Sequence, residues 1–212
     1  LVDARLTRYS SAPNFVNEFA MSPNSRCTTE QQEQQVRAWL EQFVVGLNLC
    51  PFARPVVGSA ALRISICDSA QLQQVAETFM TELDLIQQSS EADIATTLLV
   101  LPNALNNFEE YLSFIENAQD LIEQMDLTGI IQLASFHPDY LFEGEPEDSV
   151  SHYTNRSPFP LIHFLREQMM ERVLKSFSNP EQIPQRNIQK LEAMGRGAVE
   201  TLLQRLKPNG QP

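Results

Sequence analysis

Cysteine and histidine are scarce in this sequence of 212 residues, with three of each. Cys27, Cys50 and Cys67 are odd in number and too widely spaced for a CxxC pair or a zinc knuckle. They are expected to be reduced thiols. His137, His152 and His163 form no HExxH pattern, which excludes a metalloprotease of that kind. Positive charge is also short: 15 Lys and Arg against 27 Asp and Glu leave a formal net charge of −12. No basic patch is visible. So acidic a surface repels phosphate backbones and anionic lipid, so neither nucleic acid nor membrane is an expected partner. No apolar run approaches the ~20 residues that cross a bilayer, and the first residues lack the apolar core of a secretory signal. Internal repeats and low-complexity tracts are absent as well. A cytoplasmic location is the expectation.

Hydrophobic residues at 42% and charged residues at 20% suit one globular domain with its own core. Residues 1–27 have no sustained period and read as a disordered or non-native extension, with Met21 as the natural start. The domain is expected over 28–206, followed by a flexible tail over 207–212. Thr28 and Gln31 predict a capping box, and Val36, Leu40, Phe43, Val44 and Leu47 continue at helical spacing to about Asn48. Leu62–Cys67 reads as a strand, with Asp68 as the cap of a second helix that carries Leu72, Val75, Phe79, Leu83 and Ile86. Thr96–Leu101 reads as a strand covered on both faces. A third helix begins near Asn107, and Gly129–Phe136 is a third strand. A further strand is expected near Val56 or in the loop after Pro138. The run PLIHFLREQMMERVLKSF predicts a fourth helix, and Asn179–Pro180 opens a fifth that pauses at Gly195. Strands alternating with helices imply an α/β (or α+β) domain: a small, mostly parallel sheet of three or four strands packed by about five helices.

Ligands in open α/β sheets sit beyond the carboxyl ends of the strands. That places His137, Asp139 and Tyr140 in the candidate site. Pro138 restricts His137 to extended backbone, a fixed imidazole suited to a base or a metal ligand. On the expected fourth helix, His163 and Glu167 stand at i and i+4 and share a face. His137, His163 and Glu167 therefore form a candidate two-histidine, one-carboxylate set for Fe or Zn. The structural alternatives are a strand-end histidine bonded to a loop carbonyl and an internal His–Glu hydrogen bond. Asn155 and Arg156 precede an expected helix start, a natural place for an anion. Alternatively Arg156 neutralises the loop carboxylates Asp139, Glu143, Glu145, Glu147 and Asp148, whose order matches no EF-hand. Cys50, in GLNLCPFA, is a candidate nucleophile or redox thiol; a packed thiol is its structural alternative.

The segments WLEQFVVGLNLCPFA, TTLLVLPN, LASFHPDY and YTNRSPFPLIHFLRE together resemble domain-of-unknown-function family 1415, over about Glu33 to Met194. The family has bacterial members and plant relatives. Its pattern matches at Cys50, His137, Pro138, Asp139, Tyr140, Tyr153, Asn155, Arg156, His163, Arg166 and Glu167, and departs at His152. The resemblance adds Tyr153 and Arg166 to Asn155 and Arg156 as expected substrate-binding residues. It implies no particular activity.

Three functions follow as expectations. The first is a metal-dependent enzyme for a small anionic substrate, using His137, His163 and Glu167, with Asp139 or Tyr140 moving a proton. The second is an enzyme centred on Cys50, with His137 as base. The third is a non-catalytic module that binds a small molecule or a protein through residues 137–167.

Overall fold

The computed structural model describes residues 27–175, 177 and 179–206. Of the expected extension over 1–27, residues 1–26 lie outside the described residues, as does the expected tail over 207–212. Helix α1 (Thr29–Trp39) opens with the expected capping box: the Gln31 amide donates to Thr28 Oγ1, and the Thr28 amide donates to Gln31 Oε1. The helix runs on through a π-helical turn, Leu40–Val45, and the chain turns away at Asn48, whose φ of 52° is left-handed. A short α2 (Ala53–Val57) follows, so the extra strand expected near Val56 is helix instead. Then come β1 (Leu62–Ile66), α3 (Leu72–Gln88), β2 (Thr96–Val100), α4 (Phe108–Gln124) and β3 (Ile131–Phe136). Asn107 caps α4 by accepting the amides of Glu109 and Glu110. Asp68 does not cap α3: the cap position is Gln71, and Asp68 accepts from Asn103 Nδ2.

After β3 the chain makes a long loop with one 3₁₀ turn, Val150–Thr154, and re-enters the sheet as β4 (Leu161–Arg166) before α5 (Glu167–Leu174). Helices α6 (Ile183–Met194) and α7 (Arg196–Leu206) complete the domain, broken at Gly195, whose φ of 78° suits glycine.

The strand order is β1-β2-β4-β3. β1 and β2 are parallel, while β4 is antiparallel to both β2 and β3. The three expected strands therefore do point the same way, but β4 is wedged between the second and third. This overturns the expected mostly parallel sheet; most of its pairing is antiparallel. It also overturns the single helix expected over PLIHFLREQMMERVLKSF. Pro158 and Pro160 keep the backbone extended on entry. Leu161, Ile162 and Phe164 are each 0% exposed, because a central strand buries both faces. An apolar run of that kind has the same sequence pattern as a buried helix.

The sheet separates two cores. On one face α1, the π-helical turn, α6 and α7 pack Trp39, Phe43, Leu191 and Val199 against Leu98, Val100 and Leu161. On the other, α3 and α4 pack Phe79, Leu83 and Tyr111 against Leu99, Ile131, Ile162 and Phe164. Among the described residues no helix is long and apolar enough to cross a membrane.

Candidate functional site

His137 leaves the end of β3 as expected, and the main chain takes up its whole ring. Its Nδ1 accepts the Asp139 amide at 3.0 Å, so the proton sits on Nε2, which donates to the Leu105 carbonyl at 3.1 Å. Leu105 offers that carbonyl from a left-handed backbone, φ 56°. The imidazole is fully buried between the Phe108 and Tyr111 rings, with centroids 5.2 and 5.1 Å away. Burial holds its pKa below the ordinary histidine value. His152, equally buried, repeats the device: Nδ1 accepts the Phe142 amide and Nε2 donates to the Pro146 carbonyl. Both histidines stitch the loop to itself, and His137 also ties it to the segment between β2 and α4.

The neighbouring candidates behave alike. Asn155 donates from Nδ2 to the Ser135 carbonyl, and its own carbonyl accepts the His137 amide. Tyr140 sits with its hydroxyl 3.2 Å from Ser135 Oγ, and Asp139 is exposed. Tyr153 donates to Glu200 Oε1 at 2.5 Å, and Arg156 lies 4.3 Å above the Tyr153 ring while its Nε donates to the Tyr140 carbonyl. Tyr153, Arg156, Ser157 and Glu200 border a pocket of about 170 Å³. Hydrogen bonds from Tyr153 and Arg196 hold the Glu200 carboxyl below its ordinary range, so this pocket carries a carboxylate beside its arginine.

The remaining candidates lie toward the other end of β4. Arg166 pairs with Ile131 at the start of β3, whereas Leu161 pairs with Phe136 at its end. Arg166 donates to the carbonyls of Ile86, Ser89 and Ile94, closing the end of α3. Glu167 accepts the Gly129 amide at 3.2 Å. His163 is a strand residue, paired with Leu98 and Ala134. It shares no helical face with Glu167.

The structure thus does not bring His137, His163 and Glu167 together. Among the described residues no group of three or more His, Cys, Asp or Glu side chains is placed to hold a metal ion. The Nδ1 and Nε2 atoms of His137, the atoms an iron or zinc ion would need, already bond to main chain. These residues do not fit that centre, and no chemical step is assigned through it.

Cys50 has a different setting. It lines an open cavity of about 560 Å³ bordered by the π-helical turn, the loop after β3 and α6. The apolar walls include Val44, Leu49, Phe136, Phe142, Ile183 and Ile188, and the polar ones Glu143, Glu145, Ser151, Thr154, Asn155 and Asn187. Asn187 fixes α6 to this wall by donating to the Leu49 carbonyl at 2.6 Å. Burial pushes the Cys50 thiol up in pKa, partly opposed by the backbone amides of Phe52 and Ala53 that face the sulfur. Cys50 also borders a second, smaller cavity of about 70 Å³, which His163 lines too.

Sequence reasoning missed Thr96, Leu105 and Asn187. Leu105 acts through its carbonyl, which residue type does not reveal. Asn187, an amide on an otherwise amphipathic helix, is the one with a visible signal.

The model of the protein family described as "Protein of unknown function (DUF1415)" matches residues 31–201, and the chain belongs to this family. The comparisons with curated proteins and with solved structures gave no match.

Proposed function

We propose that the chain is a small-molecule-binding protein whose ligand occupies the 560 Å³ cavity beside Cys50. The observation that carries this reading is the cavity itself. Its volume lies within the roughly 300–1,000 Å³ of small-molecule sites, and its walls combine apolar side chains with a few converging polar groups. The walls hold two carboxylates, Glu143 and Glu145, and no lysine or arginine. Charge complementarity favours a neutral or cationic ligand with an apolar body. A small anion fits the walls less well.

The test is thermal unfolding of the full chain against a library of small neutral and cationic compounds. Ile183→Trp, which fills the cavity from α6, is the control. A ligand at 100 times its Kd adds about 2.7 kcal/mol, a rise of about 5–10 °C for a domain of this size. The expected result is a shift in the wild type that Ile183→Trp abolishes. Shifts of equal size in the filled variant overturn the reading, as does a library without any hit.

A second reading, chemistry at the Cys50 sulfur, is favoured by one observation: this thiol faces both cavities. His137 is unsuited as its base, since both ring nitrogens are engaged. His163, which borders the smaller cavity with Cys50, is the better partner. Alkylation of Cys50 by iodoacetamide should then slow several-fold in His163→Gln, and an unchanged rate counts against it.

A further inference from the structure

We infer that Cys50, His163, Met169 and Met170 form a binding site for a soft monovalent cation, Cu(I), in the small cavity between the π-helical turn, α2, α5 and the sheet. All four line that cavity, which has about 70 Å³ of free volume, room for a few water molecules. The other walls are almost wholly apolar, from Trp39, Leu40, Phe52, Val56 and Leu98 among others.

The orientation of His163 is the second, independent observation. The Thr96 hydroxyl donates its one proton to the Phe164 carbonyl at 2.6 Å. It therefore accepts from His163 Nε2, also at 2.6 Å. This fixes the proton on Nε2 and leaves the Nδ1 lone pair with no hydrogen-bond partner among the described residues. A ring nitrogen held by an outer hydrogen bond while the other stays open is the usual preparation of a ligating histidine. Protein packs closely around the ring, and this burial keeps it neutral, with a pKa of about 4.

The donor set selects the ion. A thiol, two thioethers and an imidazole suit Cu(I); hard cations need several oxygen ligands, and the Thr96 hydroxyl on this wall is already bonded to His163 and the Phe164 carbonyl. Charge agrees. One thiolate neutralises a monovalent ion, whereas a divalent ion would leave net charge among apolar walls. Arg166, also on the wall, is committed to the carbonyls of Ile86, Ser89 and Ile94. On binding, the Cys50 S–H bond breaks, a Cu–S bond forms, and the proton leaves to solvent. Copper stays Cu(I) throughout. Cys50 and Phe136 line both cavities, but His163, Met169 and Met170 border the small one and not the larger, so the copper titration is read in the absence of any ligand for the larger cavity.

The test is anaerobic titration of the full chain with Cu(I) against a chromophoric chelator, with circular dichroism to confirm folding. The expected result is one tightly bound Cu(I), affinity rising about tenfold per pH unit below the thiol pKa, and no displacement by Zn(II). Cys50→Ser should weaken binding at least about 100-fold, and the near-isosteric Met169→Leu/Met170→Leu pair about 10-fold. Binding unchanged by Cys50→Ser, which assigns the copper to Cys27 or Cys67, overturns the proposal. So does binding unchanged in the methionine pair, a readout that holds even if Cys50→Ser fails to fold.

Discussion

The loop after β3 and the strand that follows it each carry histidine, and they use it in opposite ways. His137 and His152 have both ring nitrogens bonded to main chain. His163 lines a cavity and has one nitrogen on a threonine hydroxyl and the other without a hydrogen-bond partner among the described residues. The first arrangement builds structure, because a loop crossing the end of a sheet must satisfy its buried amides and carbonyls. The second leaves a lone pair to spend. A histidine's role is thus read from the partners of its two nitrogens, and position at a strand end does not decide it.

Replacing each ring should break the symmetry between them. His137→Ala removes a buried ring and orphans the Leu105 carbonyl and the Asp139 amide, at a cost of about 4 kcal/mol. His163→Leu loses one hydrogen bond, leaves Thr96 still bonded to the Phe164 carbonyl, and should stay within about 1 kcal/mol of wild type. Urea denaturation of both variants measures the difference. Equal costs would mean that His163 is as structural as His137.

The same comparison shows what was legible in the sequence. The Thr28 and Asn107 caps, the three co-directional strands and the break at Gly195 each rest on local residue chemistry, which spacing reveals. The fourth strand was not legible. Leu161, Ile162, Leu165, Met169 and Val173 satisfy a helical stripe, and only tertiary pairing with Leu98, Leu99 and Ala134 makes the first part extended. The site suffered with it. Once β4 is a strand, His163 and Glu167 no longer share a face. Asn155 and Arg156 were expected just before a helix start, but the chain there enters β4; Asn155 Nδ2 and Arg156 Nε donate to the Ser135 and Tyr140 carbonyls, and Tyr153 donates to Glu200. The meeting of Cys50 with His163 depends on segments 113 residues apart, and no local pattern announces it.

Acid should sharpen the contrast next. His163 titrates near pH 4 in the folded protein against 6.5 when unperturbed, so the unfolded chain takes up the proton first. Stability is full above pH 6.5 and is lost as pH falls through 4. His137, also depressed by burial, adds loss of the same sign. Allowing for the partial exposure of the His163 ring, its share is on the order of 2 kcal/mol. Urea midpoints at pH 7, 5.5 and 4 should fall less steeply in His163→Leu than in wild type. Parallel curves would show that the ring does not titrate as its surroundings imply.

The smallest effect distinguishes the two faces of one strand. Thr96 and Thr97 are adjacent in β2 and both buried. Thr96 points to the face of His163 and uses its hydroxyl twice. Thr97 points to the opposite core, where its Oγ1 has no hydrogen-bond partner among the described residues. A buried hydroxyl without a partner bears its desolvation cost unrelieved, and an apolar group of the same shape removes that cost. Thr97→Val should therefore raise stability by about 1 kcal/mol, and Thr96→Val should lower it by about as much. In Thr96→Val the Nε2 proton also loses its anchor, so the ring is free to change tautomer and Cu(I) affinity should drop about tenfold. Thr97→Val, one residue away on the other face, should leave copper binding untouched. A pair of variants that move stability in the same direction, or copper affinity by equal amounts, would remove Thr96 from its place behind His163.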